Sequence, residues 1–196
     1  MGNKVRNSIA LASAVVVLPN WHLLSAVAGQ SASPTVLLRV INAAPVAEEI
    51  IQKALQESAR IYQAAGVTLL WRAYDAESTD GASITLDVVL LSKVVSEQIL
   101  VKRRLPSTVL GMAPRDTQRV YIFWDRIRFR ALSDGVPMDT VLGRVVAHEV
   151  GHHLLPGDAH SAIGIMRVNV SYNPLASPEF TAEQGASIRG RVMRSN

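Results

Sequence analysis

Two histidines and a glutamate occur close together in the sequence, at His148, Glu149 and His152. If this stretch is helical, side chains four residues apart lie about one turn apart on the same face. His148 and His152 would then direct two imidazoles to one point, as zinc requires of its ligands. Glu149 is rotated too far around the helix to bind the metal easily, but it can take a proton from a zinc-bound water. The spacing therefore predicts a zinc centre with an adjacent general base.

A third metal ligand is predicted a short distance further along the chain. Pro156 and Gly157 should end the helix, because the residue before a proline disfavours helix and glycine accepts a sharp turn. That turn can bring either His160 or Asp158 back to the metal. His160 is the preferred ligand because it completes an all-histidine site, with one position left for water. Asp158 is the alternative, as a ligand or as the hydrogen-bond partner of a ligand histidine.

The distribution of the histidines supports this prediction. The chain has five, and one of them, His22, falls in a predicted leader peptide. Every histidine of the mature protein would then lie between positions 148 and 160, a concentration that neither packing nor solubility requires. His153 is expected not to bind the metal, because it points away from the face shared by His148 and His152.

The segment from His148 to His160 resembles the metzincin zinc metallopeptidases. Their pattern is H-E-x-x-H-x-x-G-x-x-H, followed by a tight turn with a methionine beneath the zinc. Residues 164–167, Gly-Ile-Met-Arg, resemble that turn, and Met166 matches its methionine. Simple core packing is the alternative interpretation of Met166. Residues 109–114 and 120–125 also resemble segments of small secreted bacterial members of this group.

The spacing departs from the metzincin pattern in two places. Gly157 and His160 stand nine and twelve residues after His148, where the pattern has seven and ten. The strict pattern would place Asp158 as the third ligand. Met166 follows His160 after only five intervening residues. The resemblance is therefore specific over residues 144–167 and loose over the rest of the chain.

The resemblance implies a secreted zinc-dependent endopeptidase that hydrolyses peptide bonds with a zinc-bound water activated by Glu149. The substrate would be a polypeptide lying antiparallel to an edge strand near 119–124. Tyr172 could stabilise the transition-state oxyanion, as a tyrosine after the turn does in some metzincins. The alternative is a non-catalytic zinc-binding extracytoplasmic module. A closed structural site has no need of a base, so Glu149 speaks against that alternative.

The composition indicates one ordinary globular domain. The chain has 196 residues, of which 48% are hydrophobic and 18% are charged. It has no cysteine, which excludes disulfides, cysteine zinc sites and thiol catalysis. Without residues 1–28 the chain has 18 basic and 16 acidic residues, and this small surplus does not suggest a nucleic-acid partner.

The first 28 residues are typical of a signal peptide. Lys4 and Arg6 precede an apolar stretch at 9–18, and Ala-Val-Ala at 26–28 predicts cleavage before Gly29. We expect a secreted or periplasmic protein with no stable membrane association after cleavage; an uncleaved anchor is the alternative. Residues 29–34 would be a flexible lead-in, and residues 35–196 a single metzincin-like catalytic domain.

Hydrophobic periodicity predicts an α+β fold of the zincin type. A twisted mixed sheet would pack against two long helices, with a small, irregular C-terminal subdomain and the metal in the cleft between the two parts. Strands are predicted at 35–42, 67–72, 84–91 and 119–124, and helices at 46–65, 138–155 and 181–191, with a further short helix near 93–100.

Two basic clusters lie between the third strand and the motif helix. Arg126, Arg128 and Arg130 alternate, so a strand would place them on one face. Lys102, Arg103 and Arg104 form the second cluster. Either cluster could bind nucleic acid or acidic peptides, but we favour a solvated edge whose charges resist pairing with another strand.

Overall fold

The structure is a computed structural model, and it describes residues 33–75, 81–173, 175–176 and 178–195. The predicted signal peptide and its cleavage site lie outside these ranges. The described part contains five strands and five helices. In chain order they are β1 Thr35–Ala43, α1 Glu48–Ala64, β2 Thr68–Ala73, β3 Ile84–Leu91, α2 Lys93–Arg103, β4 Gly111–Met112, β5 Arg119–Phe123, α3 Trp124–Asp134, α4 Met138–Leu154 and α5 Ala182–Met193.

The five strands form one mixed sheet in the order β2-β1-β3-β5-β4. The first four run parallel, and β4 pairs antiparallel with β5, with Gly111 opposite Ile122 and Met112 opposite Tyr121. This confirms the predicted α+β class with a mixed sheet. The prediction that residues 119–124 form the edge strand is wrong, because β4 covers the outer side of β5.

Helix α4 lies in the centre of the fold, and α1 packs closely along it. Position 143 carries glycine at their crossing, where an added Cβ would lie 2.5 Å from the carbonyl oxygen of Ala54. The hydroxyls of Ser58 and Tyr62 donate hydrogen bonds from α1 to the α4 carbonyls of Gly143 and Ala147, at 2.8 and 3.0 Å. These contacts fix the rotation of α4, and therefore the face that its histidines share.

The stretch after Phe123 contradicts the sequence prediction. Arg126, Arg128 and Arg130 lie on helix α3 and not on a strand. Their alternation with apolar residues imitates the two-residue period of a strand. The buried residues of this stretch are instead Trp124, Ile127 and Ala131, which have helical spacing.

The chain between α4 and α5 has no helix or strand among its described residues, as the sequence predicted. Helix α5 begins with the predicted capping box, in which the Thr181 hydroxyl accepts from the amide of Gln184 and the Gln184 side chain accepts from the amide of Thr181. No helix within the described ranges is long and apolar enough to cross a membrane.

Candidate metal centre

Three imidazoles converge at the C-terminal half of α4. His148 and His152 lie one turn apart, and their Nε2 atoms are 3.1 Å from each other. The ring of His160 lies 5.4 Å from the ring of His148 and 4.8 Å from that of His152. One nitrogen from each residue falls within 4.8 Å of the others, so the group could hold a metal ion.

Hydrogen bonds orient two of these rings. His148 Nδ1 lies 2.8 Å from the carbonyl oxygen of Ile165, which can only accept, so Nδ1 carries the proton. His160 Nδ1 lies 2.9 Å from Oδ1 of Asp158, which sets the same tautomer. Both rings therefore keep the Nε2 lone pair for a cation, and partners of this kind are typical of ligand histidines.

The local electrostatics favour neutral imidazoles in α4. Burial lowers the pKa of His148 below its ordinary value. Burial lowers the pKa of His152 to about 4, assisted by the neighbouring His148, His160 and Arg115. Both residues are therefore unprotonated at neutral pH, which is the form that binds a metal.

Asp158 lies beside the histidine group and not within it. Its side chain is 82% exposed and its described contact is with His160. The turn that precedes it is held by Arg115, whose guanidinium donates to the carbonyl oxygens of Leu155 and Gly157. Gly157 has φ of +57°, a conformation that favours glycine. The turn thus returns His160 to the side of α4 that carries His148 and His152, with Asp158 as its hydrogen-bond partner.

Glu149 lies next to His148 and is almost completely buried. Burial raises the pKa of its carboxyl to about 8. A divalent cation bound nearby would act in the opposite direction, because it stabilises the charged carboxylate. Burial and a bound cation would therefore act in opposite directions on the proton affinity of this carboxyl.

Met166 packs beneath the motif helix. Its side chain is fully buried, and an added Cβ at Gly151 would lie 2.6 Å from its Sδ atom. The preceding residue, Ile165, supplies the carbonyl that orients His148. A turn closes here with the amide of Arg167 donating to the carbonyl of Gly164 at 3.4 Å. Met166 is thus a core residue within a turn that also supports a histidine.

The histidines and Glu149 open into a cleft of about 420 Å³. Strand β4 forms one wall, and residues 168–172 form the other. Tyr172 belongs to the second wall, and burial raises the pKa of its hydroxyl to about 12. The guanidinium of Arg130 lies over the Tyr172 ring, 5.2 Å from its centroid.

The second wall is fixed by Arg144, a buried residue on α4. Its guanidinium donates to the carbonyls of Ser171, Asn173 and Ala176 at 2.7, 2.9 and 2.6 Å. Its charge is balanced by Glu57 at 3.1 Å. One buried arginine therefore connects the motif helix to the segment that carries Tyr172.

No sequence pattern identified Gly111, Arg115, Arg130 or Arg144 as residues of the site. Gly111 lies in the segment 109–114, whose resemblance to metzincin-like proteins was the available signal for it. His153 lies outside the histidine group, and its Nε2 contacts the carbonyl oxygen of Arg119 at 3.0 Å.

Comparisons with known sequences and structures do not assign this chain to a family. No protein-family model matches the chain, and no curated protein sequence matches it. The solution structure of TM1509 (VT1) from Thermotoga maritima, a NESGC target protein, is similar at a TM-score of 0.38 and 12% sequence identity. That match covers 80% of this chain and 89% of the other. A likeness at this level identifies no family.

Proposed function

We propose that this chain is an exported zinc-dependent endopeptidase of the metzincin type that hydrolyses polypeptides. The observation that carries the proposal is the convergence of His148, His152 and His160 beside the buried carboxyl of Glu149, in one open cleft. The resemblance of residues 144–167 to metzincins, including Met166 in its turn, supports the same class. The export expected from residues 1–28 forms part of the proposal.

The donor set fits zinc. Three imidazole nitrogens are a common set for catalytic zinc, although imidazole also suits copper, iron and nickel. The Nε2 atoms of His148, His152 and His160 would hold the ion. When bound, zinc supplies Lewis acidity, which lowers the pKa of a water molecule and polarises a peptide carbonyl.

Glu149 moves the proton in this scheme. A carboxylate oxygen of Glu149 accepts a proton from the attacking water and later gives it to the leaving amine. Burial by β4 keeps bulk water from the carboxyl, so the proton stays between the carboxyl and the reacting groups. The high pKa of Tyr172 keeps its hydroxyl protonated, which lets it donate a hydrogen bond to the oxyanion.

Strand β4 positions the peptide. It lies at the edge of the sheet and lines the cleft, so its free backbone groups can pair with an extended substrate. The proposal therefore assigns substrate pairing to residues 111–112, because the strand near 119–124 that the sequence suggested is not at the edge of the sheet.

The decisive test is turnover of a mixed fluorogenic peptide library by the chain from Gly29, with zinc content measured on the same sample. Glu149→Gln keeps the shape of the side chain and removes the base. Cleavage that requires zinc and disappears in this variant, while about one zinc per chain is retained, would support the proposal. His153→Ala is the matched control and should cleave as the parent does.

If the parent and the Glu149→Gln variant both bind zinc and neither cleaves the peptides, the proposed peptidase activity is contradicted and a non-catalytic zinc module is favoured. Absence of zinc binding at micromolar metal would contradict both alternatives. Cleavage that persists in Glu149→Gln would show that another group acts as the base.

A further inference from the structure

The three arginines of α3 have different surroundings. Arg126 donates to the carbonyls of Pro106, Ser107 and Val109, and so fastens the segment before β4. Arg128 does not line the cleft and lies 3.6 Å from Asp125. Among these three residues, only Arg130 lines the cleft.

Arg130 retains unused hydrogen-bond donors. Its Nε donates to Oδ2 of Asp134 at 2.7 Å, and its guanidinium lies over the Tyr172 ring. The terminal nitrogens Nη1 and Nη2 make no hydrogen bond with the described residues. A planar guanidinium with two free terminal nitrogens is suited to a carboxylate.

The walls of the cleft carry little negative charge to compete with a carboxylate ligand. Glu149 is the only acidic residue among the described lining residues, and it lies buried at the base. A second arginine, Arg115, lines the cleft and donates to backbone carbonyls, and it forms no ion pair with a residue that the structure describes. The nearby acids are Asp134, which pairs with Arg130, and Asp158, which contacts His160.

The two arginines lie near different parts of α4, Arg130 near its middle and Arg115 at its C-terminal end. Arg130 contacts Tyr172, whose neighbours bond to Arg144, whereas Arg115 contacts the carbonyl of Leu155. Leu155 follows Arg144 by eleven positions, a rise of roughly 16 Å along α4 at about 1.5 Å per residue. An extended peptide covers that length with about five residues.

We propose that the cleft selects acidic peptides, with Arg130 binding an aspartate or glutamate side chain of the substrate. The positive charge of Arg115, near the C-terminal end of α4, adds a further electrostatic attraction for an acidic peptide. The selection rests on the proposed peptidase function for its effect on turnover, but binding of acidic peptides does not require hydrolysis. The two can therefore be tested separately.

The binding test uses zinc-loaded Glu149→Gln protein, which is expected not to hydrolyse its ligand. The probes are two fluorescent hexapeptide pools, identical except that one has Asp and Glu where the other has Asn and Gln. We expect the acidic pool to bind about tenfold more tightly at low salt, with the difference reduced at high salt. When Arg130→Gln is added to the Glu149→Gln protein, the preference for the acidic pool should fall to about threefold or less, because Arg115 is then the arginine that remains in the cleft.

Arg128→Gln is the matched control, because Arg128 lies on the same helix as Arg130 and is similarly exposed, but does not line the cleft. Equal binding of both pools, or an equal loss of preference in the Arg128 variant, would overturn the proposal. The cleavage assay is then run with the same pools. Cleavage of both pools at equal rates would overturn the proposed preference for acidic peptides and leave the proposed peptidase activity standing. Binding that depends on Arg130, without any cleavage, would support the preference and contradict the peptidase activity.

Discussion

Gly111 and Glu149 share one small space between β4 and α4. An added Cβ at position 111 would lie 2.8 Å from Cγ and 3.0 Å from Oε1 of Glu149. Real Cβ atoms do not approach other atoms so closely. The absent side chain in the edge strand is therefore what allows the carboxyl to lie where it does, next to the histidines.

Gly111→Ala should displace Glu149 without altering the metal ligands. We expect kcat/KM for peptide cleavage to fall roughly 10- to 100-fold, because misplacement of a reacting group by about 1 Å has effects of that size. Zinc content should stay at the parent value. Gly81→Ala is the control, because an added Cβ there meets nothing within 4 Å. Full activity in Gly111→Ala would show that Glu149 tolerates the shift.

Each of the three histidines should be necessary for tight zinc binding. Alanine at His148, His152 or His160 should weaken zinc affinity by more than 100-fold, which exceeds the roughly 10- to 100-fold cost of losing an outer-shell partner. Competition with a fluorescent chelator measures the affinity. His153→Ala comes from the same helix and should leave the affinity unchanged. A small loss at His160 would show that it is not the third ligand.

Asp158 should raise the zinc affinity through His160 without binding the metal itself. Asp158→Asn keeps a hydrogen-bond acceptor near His160 and should weaken zinc binding by less than tenfold, whereas Asp158→Ala should cost roughly 10- to 100-fold. The same chelator competition reports both values. Complete loss of zinc in Asp158→Ala with retention in His160→Ala would exchange the roles of these two residues.

The metal-free protein should lose stability as pH rises from 6.5 to 8. Burial raises the pKa of Glu149 to about 8, so the folded state holds a proton that the unfolded chain has released, and stability falls as pH rises through this window. Burial lowers the pKa values of His148, His152 and His153, and their opposite effect is only half complete in protonation at pH 6.5, so each still adds roughly 0.4 kcal/mol of stability above that pH. Urea unfolding in EDTA should show a net loss smaller than the roughly 2 kcal/mol that Glu149 alone would cause.

Glu149→Gln should abolish the fall in stability, because the amide does not titrate, and should leave only the small rise that the histidines cause. The comparison is made in the same buffers, between pH 6.5 and 8, with chelator present throughout. An unchanged slope in the variant would assign the titration to another group.

Met166 should contribute to stability through packing. Met166→Ala should lower the free energy of unfolding by about 2–5 kcal/mol, whereas Met166→Leu, which nearly preserves volume, should cost less than about 1.5 kcal/mol. Urea denaturation of metal-free protein measures both. Met193→Ala, at a 54% exposed position, should change stability by less than about 0.5 kcal/mol. Equal effects at positions 166 and 193 would contradict the packing role.

Elements with strong periodicity were predictable, and elements defined by contacts were not. Strands β1, β2, β3 and β5 and helices α1, α4 and α5 lie within two residues of their predicted bounds. Strand β4 has only two residues, and its identity depends on pairing with β5, which no local pattern reveals. Helix α3 was mistaken for a strand because its arginines alternate, although its buried residues have helical spacing.

The candidate site also contains residues that local sequence patterns predict and residues that only long-range contacts define. His148, Glu149 and His152 follow from helical spacing alone. The choice between His160 and Asp158 depends on the path of the turn, which Arg115 fixes from a distant segment. The contributions of Arg130 and Arg144 are also long-range, and a single sequence carries no signal for them.

The three histidines lie within thirteen consecutive residues, from His148 to His160. A chelating segment this short does not require the rest of the fold to bring its imidazoles near one another. Under the proposed function, the unfolded chain would therefore also bind zinc weakly, and ligand binding to the unfolded state reduces the stabilisation that a metal gives to the native state. Zinc should raise the melting temperature by less than its native-state affinity alone implies, and a newly synthesised chain can acquire the ion before its sheet has formed.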